Sequence, residues 1–256
     1  MLFSALSSIL LLVTAVYAKT GVIVPLYSYP STTSTWGPLT TAMTNNPNTQ
    51  FYIIVNPASG PGSANSQPDT SYQAAITTLR SHFNAILLGY VYTSYGARAV
   101  ADVQTDIKTY TGWSSAYGVQ GIFFDETEAG LTAQYTAYTD AVRAATFTGI
   151  SKGYIFLNPG TNIGNSDYYS IADQIVTFED SYASYQSQAP LPVVKAAQQS
   201  VIIHSFTADS SLSTVVSALK SSGFGSVYIT NLNIANTDVY AAFGSDFATF
   251  TTDVNA

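Results

Sequence analysis

Glutamate is scarce in this chain: Glu126, Glu128 and Glu179 are the only three among 256 residues. Glu is a good helix former that ordinarily collects on exposed helix faces. Two of these three instead follow short apolar runs. Glu126 comes directly after Asp125 and the run Gly121-Ile122-Phe123-Phe124, and Glu179 comes after Ile175-Val176-Thr177-Phe178. A carboxylate at the end of an apolar strand is drawn partly out of water beside aromatic rings, which raises its pKa and suits it to donate a proton. Two opposed acids suit glycosidic cleavage, one protonating the leaving oxygen while the other stabilises or attacks the oxocarbenium centre. Asp125 and Glu179 are therefore the candidate catalytic pair, with Glu126 beside them. The competing reading makes Asp125 a loop-capping or Asx-turn residue. Glu128 and Asp180 read as solvated.

Tyrosine is abundant, with 19 copies. Tyr27, Tyr29, Tyr90, Tyr92 and Tyr95 crowd near strand ends, where flat rings can stack on sugars and hydroxyls can bond to them. Tyr27, Asn56, Tyr90, Tyr92, Asn158 and His204 are the candidate substrate contacts. Tyr135 and Tyr138 read as helix surface or core. Other chemistries fit poorly. Gly149-Ile150-Ser151-Lys152-Gly153 matches G-x-S-x-G, but the serine precedes a strand, whereas a nucleophile elbow follows one. The two histidines, His82 and His204, have no partner at ligand spacing, so no metal site is expected. Asp102 and Asp106, four apart on a helix, read as a solvated face. No glycine-rich phosphate loop opens a helix, so no nucleotide or other cofactor is expected.

These residues must be positioned by a repeating scaffold. Short β-branched or aromatic runs alternate with Ala/Ser/Thr-rich segments of helical spacing, the mark of βα units. Strands are expected at 21–27, 51–56, 85–92, 121–125, 154–158, 174–179, 201–205 and 227–230. Helices are expected at 38–44, 71–82, 97–110, 131–145, 166–171, 182–188, 211–221 and 239–250. Val100, Val103 and Ile107 keep the i, i+3, i+7 spacing of a face packed on a sheet. Asp209-Ser210-Ser211 and Ser222-Gly223 frame one helix with capping residues. Eight such units in about 238 residues predict an α/β fold, a single (β/α)8 TIM-type barrel, with an open doubly wound sheet as the alternative. In such a barrel the chemistry gathers at the C-terminal ends of the strands. Those ends are Tyr27, Asn56, Tyr92, Asp125, Asn158, Glu179, His204 and Thr230-Asn231. The proline- and glycine-rich stretch from Asn56 to Asp69 reads as a long loop over that face. With the acids two strands apart, their backbones stand roughly 10 Å from each other at about 4.8 Å per strand. Their carboxyl groups could then approach to ~5–9 Å, too wide a range to choose retention or inversion.

Composition narrows the field further. The chain is 46% hydrophobic and 9% charged, the reverse of a disordered sequence. Its net charge of −7 has no basic run behind it, which argues against nucleic acid as a partner. The absence of cysteine excludes disulfides and thiolate chemistry. Residues 1–18, with the apolar core Ile9–Val13 and small residues at Val16 and Ala18, read as a secretory signal peptide too short to span a bilayer. The expected product is an extracellular or cell-wall monomer of residues 19–256 with no membrane attachment.

At these same positions the chain resembles the spherulin-4, or spherulation-specific, family. The resemblance rests on the segments 21–27, 51–57 with 59–62, and 88–93. It continues through Gly121-Ile-Phe-Phe-Asp-Glu-Thr127, Asn158-Pro-Gly160 and Val176-Thr-Phe-Glu179. It spans nearly all of residues 19–256. Members are similar to secreted fungal glycoside hydrolases of family 135, barrels that act as endo-α-1,4-N-acetylgalactosaminidases on galactosaminogalactan, a polysaccharide of cell walls and biofilms. The resemblance implies essential acids at Asp125 and Glu179, with Glu126 as the third acid. On an N-acetylated sugar it also admits a substrate-assisted route in which one acid orients the acetamido group. Two other functions stay open at this point: a silent wall or encystment protein that binds polysaccharide, and a glycosidase for another amino-sugar or galactose polymer.

Overall fold

The structure is a computed structural model that describes residues 19–32, 34–164, 167–207, 211–235 and 238–256. The expected signal peptide, Ser166, Asp209 and Ser210 lie outside the described residues. Eight strands form the wall: β1 (Gly21–Leu26), β2 (Phe51–Val55), β3 (Ala85–Tyr92), β4 (Gly121–Asp125), β5 (Tyr154–Leu157), β6 (Gln174–Ser181), β7 (Gln199–His204) and β8 (Ser226–Ile229). Each runs parallel to its neighbours, and β8 pairs with β1 to close the barrel in simple sequence order. The expected barrel is what the chain forms. Ile53-Ile54-Val55 and Val201-Ile202-Ile203 are buried throughout, because one face looks into the barrel and the other is covered by helices.

The interior is filled by large side chains set against small ones. The Tyr52 ring meets Tyr154 and Phe156 at centroid distances of 5.8 and 5.0 Å. Gly121 yields the space beside Tyr154: a Cβ there would lie 2.3 Å from the Tyr154 carbonyl oxygen. At the starts of the later strands, Ser200 Oγ lies 2.7 Å from Ser226 Oγ and donates to Gln174 Oε1 at 3.1 Å. This buried polar layer explains why β7 begins at Gln199, two residues before the expected Val201. Polar strand residues look like loop in a hydropathy pattern, but here they satisfy one another inside the barrel.

The helices are α1 (Gly37–Asn45), α2 (Thr70–Arg80), α3 (Val100–Thr111), α4 (Thr132–Ala144), α5 (Tyr168–Ile171), α6 (Tyr182–Ser187), α7 (Leu212–Ser221) and α8 (Phe247–Asn255). Asp69 caps α2 by accepting from the backbone N–H groups of Ser71 and Tyr72, and Ser211 caps α7 through Thr214 N–H. Two expected starts are corrected. α3 begins at Val100 and not Ala97, because the turn before it is engaged: Gln134 Nε2 donates to the Gly96 carbonyl and Tyr138 Oη to the Arg98 carbonyl. The last helix begins at Phe247, not Val239. The chain instead forms a turn, Tyr240 N–H donating to Asp238 Oδ1 and Ala241 N–H to the Asp238 carbonyl, and Gly244 sits where a Cβ would come within 2.7 Å of Asn231, Asp246 and Thr230 side-chain atoms, so no larger residue fits there. Val239 and Phe247 are both buried, yet they belong to different elements.

One irregularity matters for the site. β6 pairs with β7 through Val176↔Ser200 and then Phe178↔Val201, so Thr177 is an extra residue, a bulge. Gln174 and Val176 face the interior with their register partners Phe156 and Ser200. Strict alternation from Val176 would turn Phe178 inward and Glu179 outward. The bulge reverses this: the Phe178 ring goes outward to Tyr185 of α6 at 5.8 Å, and Glu179 turns in.

Candidate active site

The C-terminal mouth of the barrel holds a compact acid network. Asn158, the residue after β5, donates from one nitrogen, Nδ2, to Asp125 Oδ1 at 2.8 Å and to Glu179 Oε2 at 2.7 Å. Its Oδ1 accepts from Gly160 N–H at 2.9 Å, which fixes the amide so that the nitrogen faces the acids. Two oxygens sharing one donor are no farther apart than the sum of those bonds, about 5.5 Å. Glu179 is also held along its backbone, its N–H donating to the Gly160 carbonyl at 2.9 Å. The connection after β5 therefore sets both the bridge and the height of the second acid.

Each carboxylate has a tyrosine of its own. Tyr90 Oη donates to Asp125 Oδ2 at 2.7 Å, and Tyr240 Oη donates to Glu179 Oε1. Tyr27, after β1, stands between them, its ring edge-on to Tyr90 at 5.5 Å and to Tyr240 at 5.4 Å. Burial, followed by the neighbouring carboxylates, pushes the pKa of Tyr27, Tyr90 and Tyr240 up, so all three stay protonated donors. Asp125 accepts a third bond from Glu126 N–H at 2.9 Å. Glu179 has its pKa raised, chiefly by burial and further by Asp125, against the opposing pull of the Tyr240 and Asn158 hydrogen bonds. Two carboxylates whose surroundings differ in this way are placed for different proton roles.

The Asp125–Glu126 step is locked from behind. Glu126 has φ of 54°, in the left-handed region. Its carbonyl accepts from Thr93 Oγ1 at 2.7 Å and from Tyr95 N–H at 2.9 Å. Thr93 Oγ1 also lies 2.7 Å from Tyr135 Oη, and that hydroxyl receives Glu128 N–H at 2.9 Å. Tyr135 and Tyr138 thus belong to the core, and Tyr135 uses its hydroxyl to hold the acid loop. Among the described residues the Glu126 carboxylate accepts no hydrogen bond. The Glu128 and Asp180 side chains face solvent.

The remaining candidates lie on the same rim but do not touch the acids. Asn56 turns toward its own loop, where Oδ1 accepts from Gly60 N–H at 3.0 Å. Tyr92 carries Arg98 over its ring at 4.1 Å, and Arg98 pairs with Asp106 at 2.8 Å, so Asp106 is a partnered, half-buried acid and not a solvated one. His204 Nδ1 lies 3.0 Å from Ser205 Oγ, and burial lowers its pKa against the pull of Asp180, leaving the ring neutral near pH 7. Tyr29 and Tyr95 are 50% and 62% exposed, which leaves their rings available to a ligand. Thr230 and Asn231 support the connection after β8, Asn231 Nδ2 donating to Ser245 Oγ at 2.6 Å. Tyr240 on that connection was missed by sequence reasoning, which placed it in a helix. Its signal is its location after the last strand of a barrel.

Several surface concavities lie away from this network. One of about 780 Å³ runs along Ser213, Ser217, Lys220 and Asp253 on the outer helices, with no paired carboxylates. The site is therefore identified by convergent polar chemistry and not by volume. Among the described residues no group of three or more His, Asp or Glu is arranged to hold a metal ion, and no helix is long and apolar enough to cross a membrane.

Comparison with known proteins agrees with this architecture. The model of the spherulation-specific family 4 matches residues 21–254. Spherulin-4 of Physarum polycephalum is 36% identical over 224 residues, covering 82% of this chain and 62% of that protein, so the chain spans somewhat less than two thirds of the relative's length. The crystal structure of Aspergillus clavatus Sph3 in complex with GalNAc superposes with a TM-score of 0.84 at 34% identity, covering 93% of this chain and 98% of the other. With a family match along almost all of its barrel, and a relative and a solved structure that both exceed 30% identity, the chain belongs to spherulation-specific family 4.

Proposed function

We propose that the protein is a secreted endo-acting glycoside hydrolase that cleaves α-1,4-linked N-acetylgalactosamine in galactosaminogalactan-type polysaccharide. The observation that carries this reading is the bridging of Asp125 and Glu179 by a single amide nitrogen of Asn158. An upper limit of about 5.5 Å between the bridged oxygens suits the ~5–5.5 Å carboxyl separation of retaining enzymes. It leaves no space for the water that inverting enzymes place between acids ~6.5–9.5 Å apart. Glu179, its proton affinity raised by burial, is the proton donor to the glycosidic oxygen as the C1–O bond breaks. Asp125, accepting from three donors, supplies the opposing anion at C1. Glu126 is the third acid at the rim. Tyr27, Tyr90, Tyr92, Asn56, Asn158 and His204 line the substrate path. The sugar class is supported by Sph3, which was crystallised with GalNAc. Secretion is supported by the leader-like residues 1–18.

The test is incubation of the purified protein with partly N-acetylated galactosaminogalactan, reading reducing ends and fragment masses. Wild type should release a series of short oligosaccharides, and Asp125→Asn and Glu179→Gln should each lower the rate at least about 1000-fold while polymer binding persists. Binding by wild type without any new reducing ends would refute hydrolysis in favour of a polysaccharide-binding protein. Cleavage of chitosan or galactan in preference would refute the sugar assignment.

A further inference from the structure

Glu179 must do two opposite things in a retaining reaction: release a proton to the leaving oxygen, then take one from water. Its Oε2 is shared with Asp125 through Asn158, whereas its Oε1 has Tyr240 as sole partner among the described residues. We propose that Tyr240 is a positioning residue for Glu179, fixing the carboxyl group in place and setting how readily it gives up and regains its proton. This inference rests on Glu179 being the proton donor.

Tyr240 is built to hold that position. It lies 61 residues beyond Glu179, on the connection between β8 and α8. Its backbone N–H donates to Asp238 Oδ1 at 2.9 Å and Ala241 N–H to the Asp238 carbonyl at 3.1 Å, an Asx-type turn that pins its Cα. The ring packs edge-on against Tyr27 at 5.4 Å and tilted against Tyr228 at 6.4 Å, so the hydroxyl cannot swing away without opening two aromatic contacts. The titratable groups facing Glu179 from the surrounding elements are Asp125 of β4, Tyr27 after β1, Tyr90 of β3 and Tyr240 itself, with Glu126 and His204 farther out on the rim. Of these only Tyr240 donates directly to the Glu179 carboxyl.

In the first step the proton passes from Glu179 to the glycosidic oxygen while C1–O breaks and an Asp125 carboxylate oxygen bonds to C1. The carboxylate left behind keeps the Tyr240 O–H on Oε1, a bond that strengthens as negative charge appears. In the second step a water oxygen bonds to C1 as the C1–Asp125 bond breaks, and the water's proton returns to Glu179. A donor that favours the ionised form assists the first transfer and keeps the group a carboxylate, ready for the second.

The experiment is the pH profile of kcat/KM for the full-length mature enzyme on α-1,4-linked N-acetylgalactosamine oligosaccharides. Tyr240→Phe keeps the ring and removes the donor. The basic limb, where Glu179 loses its proton, should move to higher pH by about one unit, with kcat on the plateau lowered roughly tenfold. Asp238→Ala, which frees the turn, should move the limb the same way by a smaller amount. A Phe variant whose profile superimposes on the wild-type limb, or is lowered evenly at every pH, overturns the proposal and leaves Tyr240 a packing residue. A Glu179→Gln enzyme that still cleaves at the wild-type rate overturns the reading of Glu179, and this inference with it.

Discussion

Asn158 is the residue on which the two acids depend most evenly, because one amide nitrogen serves both. Asn158→Asp is nearly isosteric and retains an acceptor for Gly160 N–H, but it puts a third carboxylate where the shared donor stood. A loss in kcat of about 100-fold or more is expected, with circular dichroism unchanged, and a near-wild-type rate would show that the bridge is dispensable. Glu179 makes a second prediction, about stability. Its folded pKa lies above the ordinary value of 4.5 because burial penalises the charge. Below that ordinary value both states hold the proton and Glu179 contributes no pH dependence. As pH rises through the window between the ordinary and the raised value, the unfolded chain releases the proton first, so the folded state loses stability relative to it. Glu179→Gln lacks this slope. Its Tm should gain on the wild-type Tm between pH 4 and pH 7, as thermal melts can check, and a constant difference would contradict burial of the charge.

At the scale of elements, the decisive feature is the extra residue Thr177 in β6. A one-residue change of register moves every later side chain of a strand to the other face. Deleting Thr177 removes the extra residue and leaves Val176↔Ser200 followed directly by Phe178↔Val201, so plain alternation keeps Phe178 outward and Glu179 in the mouth. The deletion variant should keep the barrel signature in circular dichroism and an activity within about tenfold of wild type. A fall to the level of Glu179→Gln would mean that the deletion shifts β6 against β7 and carries Glu179 out of the mouth. Connections matter in the same way. The turn after β3 and the turn after β4 are tied together by Thr93, Tyr95 and Tyr135, so Asp125 sits on a braced pair of loops and not on a free one.

Across the whole molecule, charge is sorted along the barrel axis. Asp125, Glu126, Glu128, Asp167, Glu179, Asp180, Asp238 and Asp246 lie at strand C-terminal ends or on the connections that follow strands. Lys19, Arg80, Lys108, Arg143, Lys152, Lys195 and Lys220 lie at the opposite end, several of them in last helical turns. Helix dipoles favour this sorting, since helix N-termini point to the mouth and C-termini away from it. Among the described residues Arg98 is the one Lys or Arg at the mouth, and it pairs with Asp106 at 2.8 Å. Among the described residues acidic side chains therefore outnumber basic ones at the mouth, whereas Asp173 and Asp253 at the other end sit among lysines and arginines. A polymer bearing free ammonium groups should be steered to this face, and kcat/KM for a partly de-N-acetylated polymer should fall several-fold as the Debye length shrinks from about 30 Å at 0.01 M salt to about 8 Å at 0.15 M. Fully acetylated polymer should show no such dependence, and equal salt sensitivity of the two would rule out steering.

The chain's order of apolar runs and amphipathic segments was enough to give eight βα units and carboxylates at the ends of the fourth and sixth strands, and to favour a closed barrel over an open doubly wound sheet, whereas closure itself came with the pairing of β8 to β1. Hydrophobic periodicity is a local property, and barrel chemistry sits at strand ends whatever the sequence between them. The expected positions of α3, α8 and the start of β7 were displaced for reasons that local pattern does not carry: loop carbonyls already engaged, a glycine without space for a Cβ, and buried serines that satisfy one another. What only the tertiary structure decided is how the acids meet. The inward turn of Glu179 depends on its register with β7, the bridge depends on Asn158 reaching partners 33 and 21 residues away, and the Tyr240 contact closes over 61 residues. Contacts of that span are set by how the strands close around a common axis, and no window of neighbouring residues contains that closure.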